Sequence, residues 1–137
     1  NMKCCEMSAA FGLVQLEKFD KFAKIRRDNI ERYLENLKDV KEITLPDDSI
    51  KPNWMAIPLQ CENRMELLHF LEENEIQTRV TFAGNITRHP VYREYLEDFE
   101  NSDLIMKNGF LLGAHHGLTT EDVDHVCNKI KEFFNKN

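Results

Sequence analysis

Apolar residues recur at Met7, Phe11, Val14, Phe22, Ile25, Ile30, Tyr33, Leu34 and Leu37. Most steps are three or four, the period of one helix face. No proline interrupts residues 6–39, so the pattern predicts one long helix of about 50 Å at 1.5 Å per residue. A domain of this chain length has a radius of gyration of only about 14 Å, so the helix should overhang its own body. Its two halves differ. Residues 6–16 read EMSAAFGLVQL, small or apolar nearly all round, whereas charges gather on the outer face from Glu17 onward. A helix apolar on every side wants burial on every side. That predicts another domain or subunit against the first half; the alternative is a helix that bends at Gly12 and returns to its own core.

The pattern changes after residue 40. Residues 41–45 form a short strand candidate closed by Pro46, and 46–52 (PDDSIKP) form a loop. Residues 54–60 (WMAIPLQ) read as a mostly buried strand with Pro58 at its edge or end. Asn63 can cap a helix over 64–74 that turns Met65, Leu67, Leu68 and Leu71 inward. Residues 76–82 (IQTRVTF) alternate as a strand does. A Gly–Asn loop, short helices over 91–96 and 101–108, and a strand over 110–114 follow, with Gly109 as a helix stop. Thr119 or Thr120 caps a last helix to about residue 134, with acids in its first turn. The order gives an α+β class: a sheet of about four strands, mostly antiparallel, with helices on one face and a long N-terminal linking helix.

Composition narrows the function classes. The 137 residues carry a formal charge of −6, which argues against a broad phosphate-backbone partner and hence against nucleic acid. No stretch reaches the roughly 18 apolar residues of a membrane span. Apolar residues make up 42% of the chain, enough for a packed core at this length. The four cysteines, Cys4, Cys5, Cys61 and Cys127, show no zinc spacing and read as reduced, half-buried thiols of a cytoplasmic protein.

Two stretches could carry chemistry. TRVTFAGNITRH at 78–89 sets Arg79 on a strand, then a Gly84–Asn85 turn, then Arg88 and His89. Guanidinium groups fork onto carboxylate or phosphate, and glycine lets the backbone approach a ligand closely. The stretch therefore suits an anionic ligand, as in a stand-alone anion-binding module. It equally suits two surface arginines paired with nearby acids around a capping loop. GFLLGAHHGL at 109–118 delivers His115 and His116 into a loop after a buried strand. Neighbouring strand residues face opposite ways, so the pair does not easily share one metal ion, while either ring could carry a proton or meet a phosphate. No phosphate-binding loop, dinucleotide fingerprint, GxSxG elbow or HExxH appears.

The run NMKCCEMSAAFGLVQL at 1–16 resembles the YN-x-K/R-M-x-E-M-x-A-A-x-G-x-x-Q-L signature of the DegT/DnrJ/StrS family, departing from it at Cys4-Cys5 in place of M-x. These are pyridoxal-phosphate enzymes acting on nucleotide sugars. The likeness continues through LEKFDKFAKIRRDNIERYLENL, IQTRVTFAGNITRHPVY and NSDLIMKNGFLLGAHHGLTTEDVDHV. The last two look most like the nucleotide-linked 4-keto-6-deoxyhexose 3-dehydrases and their sugar-aminotransferase relatives. The resemblance implies the small C-terminal domain of a fold-type I PLP enzyme, with residues 1–40 as the interdomain helix, 41–137 as the α+β body and a large cofactor domain upstream. It implies pyridoxal or pyridoxamine phosphate (PLP or PMP) in the complete enzyme, none bound to this piece, no catalytic residue within it and no activity of its own. Partners would be a nucleotide-linked keto sugar, the chain's own large domain and a second subunit of a homodimer. By the same resemblance Asn1 reaches the cofactor phosphate of the neighbouring subunit. Arg79, Phe82 and Asn85 border the active-site mouth, Arg88 and His89 lie in the loop that follows, and His115 and His116 match paired histidines of the dehydrase-like subgroup. The residue that would decide between amino transfer (Lys) and dehydration (His) lies upstream of Asn1.

Overall fold

A computed structural model describes residues 3–136; Asn1 lies outside the described residues. The first apolar run gives two helices, α1 (Glu6–Glu17) and α2 (Phe19–Leu37). The interruption falls at Lys18, whose N–H turns back to the Gln15 carbonyl at 3.1 Å, and not at Gly12, around which a Cβ would meet nothing. It coincides with the change from all-apolar to amphipathic sequence. α1 buries no residue: Met7, Phe11, Leu13 and Leu16 are all exposed. α2 buries Ile30, Tyr33 and Leu37.

The sheet has three strands, β1 (Ala56–Gln60), β2 (Thr78–Val80) and β3 (Gly109–Gly113), in the order β1-β3-β2 and antiparallel throughout. Helices α3 (Arg64–Glu73), α4 (Glu100–Asn108) and α5 (Thr120–Lys136) complete the body, with 3₁₀ turns at Ile86–Arg88 and Pro90–Tyr95. One sheet face supplies Ile57, Leu59, Phe110 and Leu112 to a core completed by α2, by Leu67 and Leu71 of α3, and by Val123, Cys127 and Ile130 of α5. α2 and α3 both pack on α5. No helix among the described residues is long and apolar enough to cross a membrane.

The fourth strand shrinks to a single bridge, Thr44 with Gln60, bonded at 2.8 and 3.2 Å. The next hydrogen-bonding pair of that register would set Pro46 against Pro58, and neither has an N–H to give. Pro58 sits mid-strand and is tolerated for a related reason. Ala114 donates to the Met55 carbonyl and Cys61 to that of Asn108, so odd-numbered β1 residues bond β3 and Pro58 faces the outer edge.

Other boundaries move for local reasons. Met65 is exposed rather than inward, and Leu67, Leu68 and Leu71 carry the buried face. Asn63 stands at the start of α3 without a side-chain cap bond. Gly109 does not end α4 in a left-handed turn. It opens β3 in extended conformation, where a Cβ would lie 2.6 Å from the Ile105 carbonyl. Thr119 caps α5 reciprocally: Asp122 N–H donates to its Oγ1 at 3.2 Å, and its own N–H donates to Asp122 at 2.8 Å.

Candidate functional site

The sequence-predicted residues form two groups at opposite ends of the β2–β3 pair, with His116 turned away toward α2. The first group is the loop after β2. Phe82 is 86% exposed and held at φ +44°, a left-handed conformation costly for a bulky residue. Gly84 follows at φ +62°, where a Cβ would come within 2.3 Å of Met106 Cβ. Asn85 is 2% exposed. Its amide donates to the Glu97 carbonyl and to Asp103, each at 2.9 Å, and its oxygen accepts from the Thr87 N–H and hydroxyl. Arg88 forks onto Asp103 and also donates to Asp98 at 2.6 Å. The Arg88 guanidinium, helped by Asn85, holds the Asp103 carboxyl down at about 2. His89 Nε2 lies 2.8 Å from the Ala83 carbonyl. The positive charge of Arg88 is therefore already met by two carboxylates, and Asn85 is the hub that fixes the loop.

The second group lines a cleft of about 570 Å³ at the far end of β3. Arg79 and His115 both line it, along with Met55, Ile76, Leu111 and Leu118. Arg79 faces this way because it pairs with Leu111 in the sheet, and one of its nitrogens donates to the Thr78 carbonyl at 2.8 Å. His115 accepts from the Gly117 N–H at Nδ1, 3.2 Å, so a neutral ring carries its proton on Nε2. Asn29 of α2 fixes the His115 carbonyl at 3.1 Å. Tyr33 also lines the cleft, although its position in the α2 stripe reads only as core. The histidines diverge: His116 stacks on Phe22 at 3.8 Å between centroids and 16° between planes, beside Arg26 and Gln15.

A family model described as the DegT/DnrJ/EryC1/StrS aminotransferase family matches residues 1–131. The chain belongs to this family. The lipopolysaccharide biosynthesis protein RfbH of Salmonella typhimurium is 37% identical over 149 residues, an alignment taking in 100% of this chain and 34% of RfbH. The dTDP-4-dehydro-2,6-dideoxy-D-glucose 3-dehydratase of Saccharopolyspora spinosa is 34% identical, over 99% of this chain and 32% of that protein. Among solved structures, E. coli GDP-4-keto-6-deoxy-D-mannose-3-dehydratase with bound hydrated PLP superposes with a TM-score of 0.82 at 24% identity. It covers 91% of this chain and 35% of its own, and at that identity it speaks to the fold alone. The chain thus spans about a third of the length of the relatives it matches.

The described residues do not by themselves make a PLP site. No lysine among them is buried, whereas a lysine that reacts with a carbonyl is kept neutral by desolvation or a cationic neighbour. Lys24, Lys38, Lys129 and Lys136 are instead paired with carboxylates.

Proposed function

We propose that this chain is the C-terminal part of a PMP- or PLP-dependent nucleotide-sugar dehydrase, which removes the C3 hydroxyl of a nucleotide-linked 4-keto-6-deoxyhexose in the cytoplasm. The observation that carries this reading is the end-to-end alignment with RfbH and with a dideoxyglucose 3-dehydratase, each over about a third of its length. A sugar aminotransferase of the same family is the second reading, favoured by the family description itself. The apolar α1, none of whose residues is buried, supports a covering partner, which we assign to the large domain and to the second subunit of a homodimer.

In this reading the chain's own residues form one wall of the site. Arg79 and His115 contact the sugar nucleotide from the cleft, while Phe82 and His89 contact it from the loop. Asn85 and Arg88 hold that loop in its strained shape against Asp98 and Asp103. His116 reaches substrate from beside Phe22, and Asn1 contacts the cofactor phosphate of the neighbouring subunit.

The test is the upstream sequence followed by an assay. A histidine at the cofactor position, with loss of water from a nucleotide-linked 4-keto-6-deoxyhexose in the presence of pyridoxamine phosphate, is the expected result. A lysine there, with transfer of an amino group to the sugar, selects the aminotransferase. A protein complete at residue 1 that binds the cofactor alone overturns both.

A further inference from the structure

We infer that Arg26 anchors an ion pair with a carboxylate side chain of the domain upstream of residue 1, made in the hollow beside the joint of α1 and α2. The existence of that domain rests on the proposed reading of this chain as a C-terminal part; the charge, size and place of the contact come from the hollow itself.

α2 carries three arginines, and two of them have their acids. Arg27 meets Asp48 at 2.8 Å and Glu31 at 3.3 Å, and Arg32 meets Asp124 at 2.6 Å. Arg26 is half-buried, and among the described residues its guanidinium has no acceptor; its Nε is shut away from solvent and bonds nothing. A permanent cation partly withdrawn from water without a counter-charge is unfavourable, and a carboxylate is the side chain that matches a guanidinium best in charge and shape. The hollow around Arg26 lacks one. Phe19, Phe22 and Ala23 give it apolar surface, Gln15 and Asn53 bring two amides, and the His116 ring stacked on Phe22 completes the lining. None of these supplies a negative charge. At about 290 Å³ the hollow falls just under the roughly 300–1,000 Å³ range of small-molecule sites. That is room for one side chain.

The place of the hollow says what fills it. Phe11, Gln15, Phe19, Phe22 and Arg26 follow one another at steps of four, four, three and four, one stripe across the joint. Phe11 and Phe19 are exposed. Further along the same stripe Asn29, Ile30 and Tyr33 are buried in the chain's own body. Arg26 therefore stands where the chain's own cover stops and the open apolar face starts. The stripe from Phe11 to Arg26 is about 22 Å long. This chain takes in 34% of RfbH, and the remaining two thirds of such a protein would fold to a body roughly 40 Å across, wide enough to lie over the whole stripe. Being tethered at the foot of α1, it also outcompetes a second copy through its effective concentration.

The experiment uses the complete gene product carrying Arg26→Lys, which keeps the charge and provides an amine. A water-soluble carbodiimide joins an amine to a carboxylate only where the two touch. The expected result is an amide between position 26 and one Asp or Glu upstream of residue 1, within a single polypeptide, located by peptide mass spectrometry. Lys24 and Asp28, 2.7 Å apart, give the internal control. A link from position 26 found only in covalent dimers, or the control link without any at position 26, overturns the ion pair. Arg26→Gln separates anchoring from folding. It leaves the urea midpoint of the 137-residue chain nearly unchanged, since the guanidinium bonds nothing there, and lowers that of the complete protein. The same effect on both also overturns the pair. The broader reading fails separately: a gene product that begins at residue 1 removes the upstream domain and the pair together. A complete protein that turns over a nucleotide-linked keto sugar without the link at position 26 removes only the pair.

Discussion

Asn85 shows how much a single side chain can organise. It is buried, and its amide joins the Glu97 carbonyl, Thr87 and Asp103. Asn85→Ala leaves those partners unsatisfied in a buried setting, a loss of about 1–3 kcal/mol per group; urea unfolding is expected to show a loss of at least that size. Asp103 adds a pH signature. Its carboxyl is depressed from 3.8 to about 2 by Arg88 and then Asn85. A depressed acid contributes stability above its unfolded value and loses it as the pH falls through its folded value. The urea midpoint should therefore drop between about pH 4 and pH 2, and Asp103→Asn should flatten that part of the profile. The sequence showed the Arg–Gly–Asn–Arg cluster but not its partners. Asp98 and Asp103 lie ten and fifteen residues from Arg88, a separation no local spacing rule reads. Tyr33 was hidden differently: helical period marks it as core, which it is, and says nothing about where its hydroxyl points.

At the scale of elements, periodicity found the long first helical run but not its division at Lys18, and the antiparallel sheet stands with three strands in place of about four. The weak points were strands with few residues to establish a period. β2 has three residues where alternation suggested seven. It ends early because the Phe82 N–H folds back to the Val80 carbonyl at 2.9 Å. The lost fourth strand turns on two prolines meeting in one register, which becomes visible only once the register is known. α1 gives the sharpest test here. It buries nothing, so deleting residues 1–17 should change the unfolding free energy by no more than the roughly 0.5 kcal/mol typical of changes at exposed positions. The same deletion should remove self-association, which exposed apolar patches of this kind drive. Sedimentation velocity on both chains checks this, and a strictly monomeric full chain with α1 ordered would contradict the covering partner.

For the molecule as a whole, the thiols report how its surface divides. All four cysteines are free; Cys4 and Cys5 are exposed, Cys61 and Cys127 buried, in place of four half-buried groups. Burial pushes Cys61 up to about 11 and Cys127 up to about 12, while a hydrogen bond from Ser8 lowers Cys5. Only the thiolate reacts, so a disulfide reagent at pH 8 should modify Cys4 and Cys5 at once and reach the other two only after unfolding. The family was legible from motifs spread over the chain, whereas the shared cleft of Arg79 and His115 needed the sheet register to bring distant segments together. One further consequence lies in the joint at Lys18. The twelve residues of α1 make a rod about 18 Å long, joined to the body through the turn at Lys18. A swing of ten degrees there carries the tip through about 3 Å, by the length of the rod alone. Spin labels on Cys5 and on a rigid point of α5 should report a broad distance distribution in this chain, narrowing to a single peak once a docking surface clamps the rod.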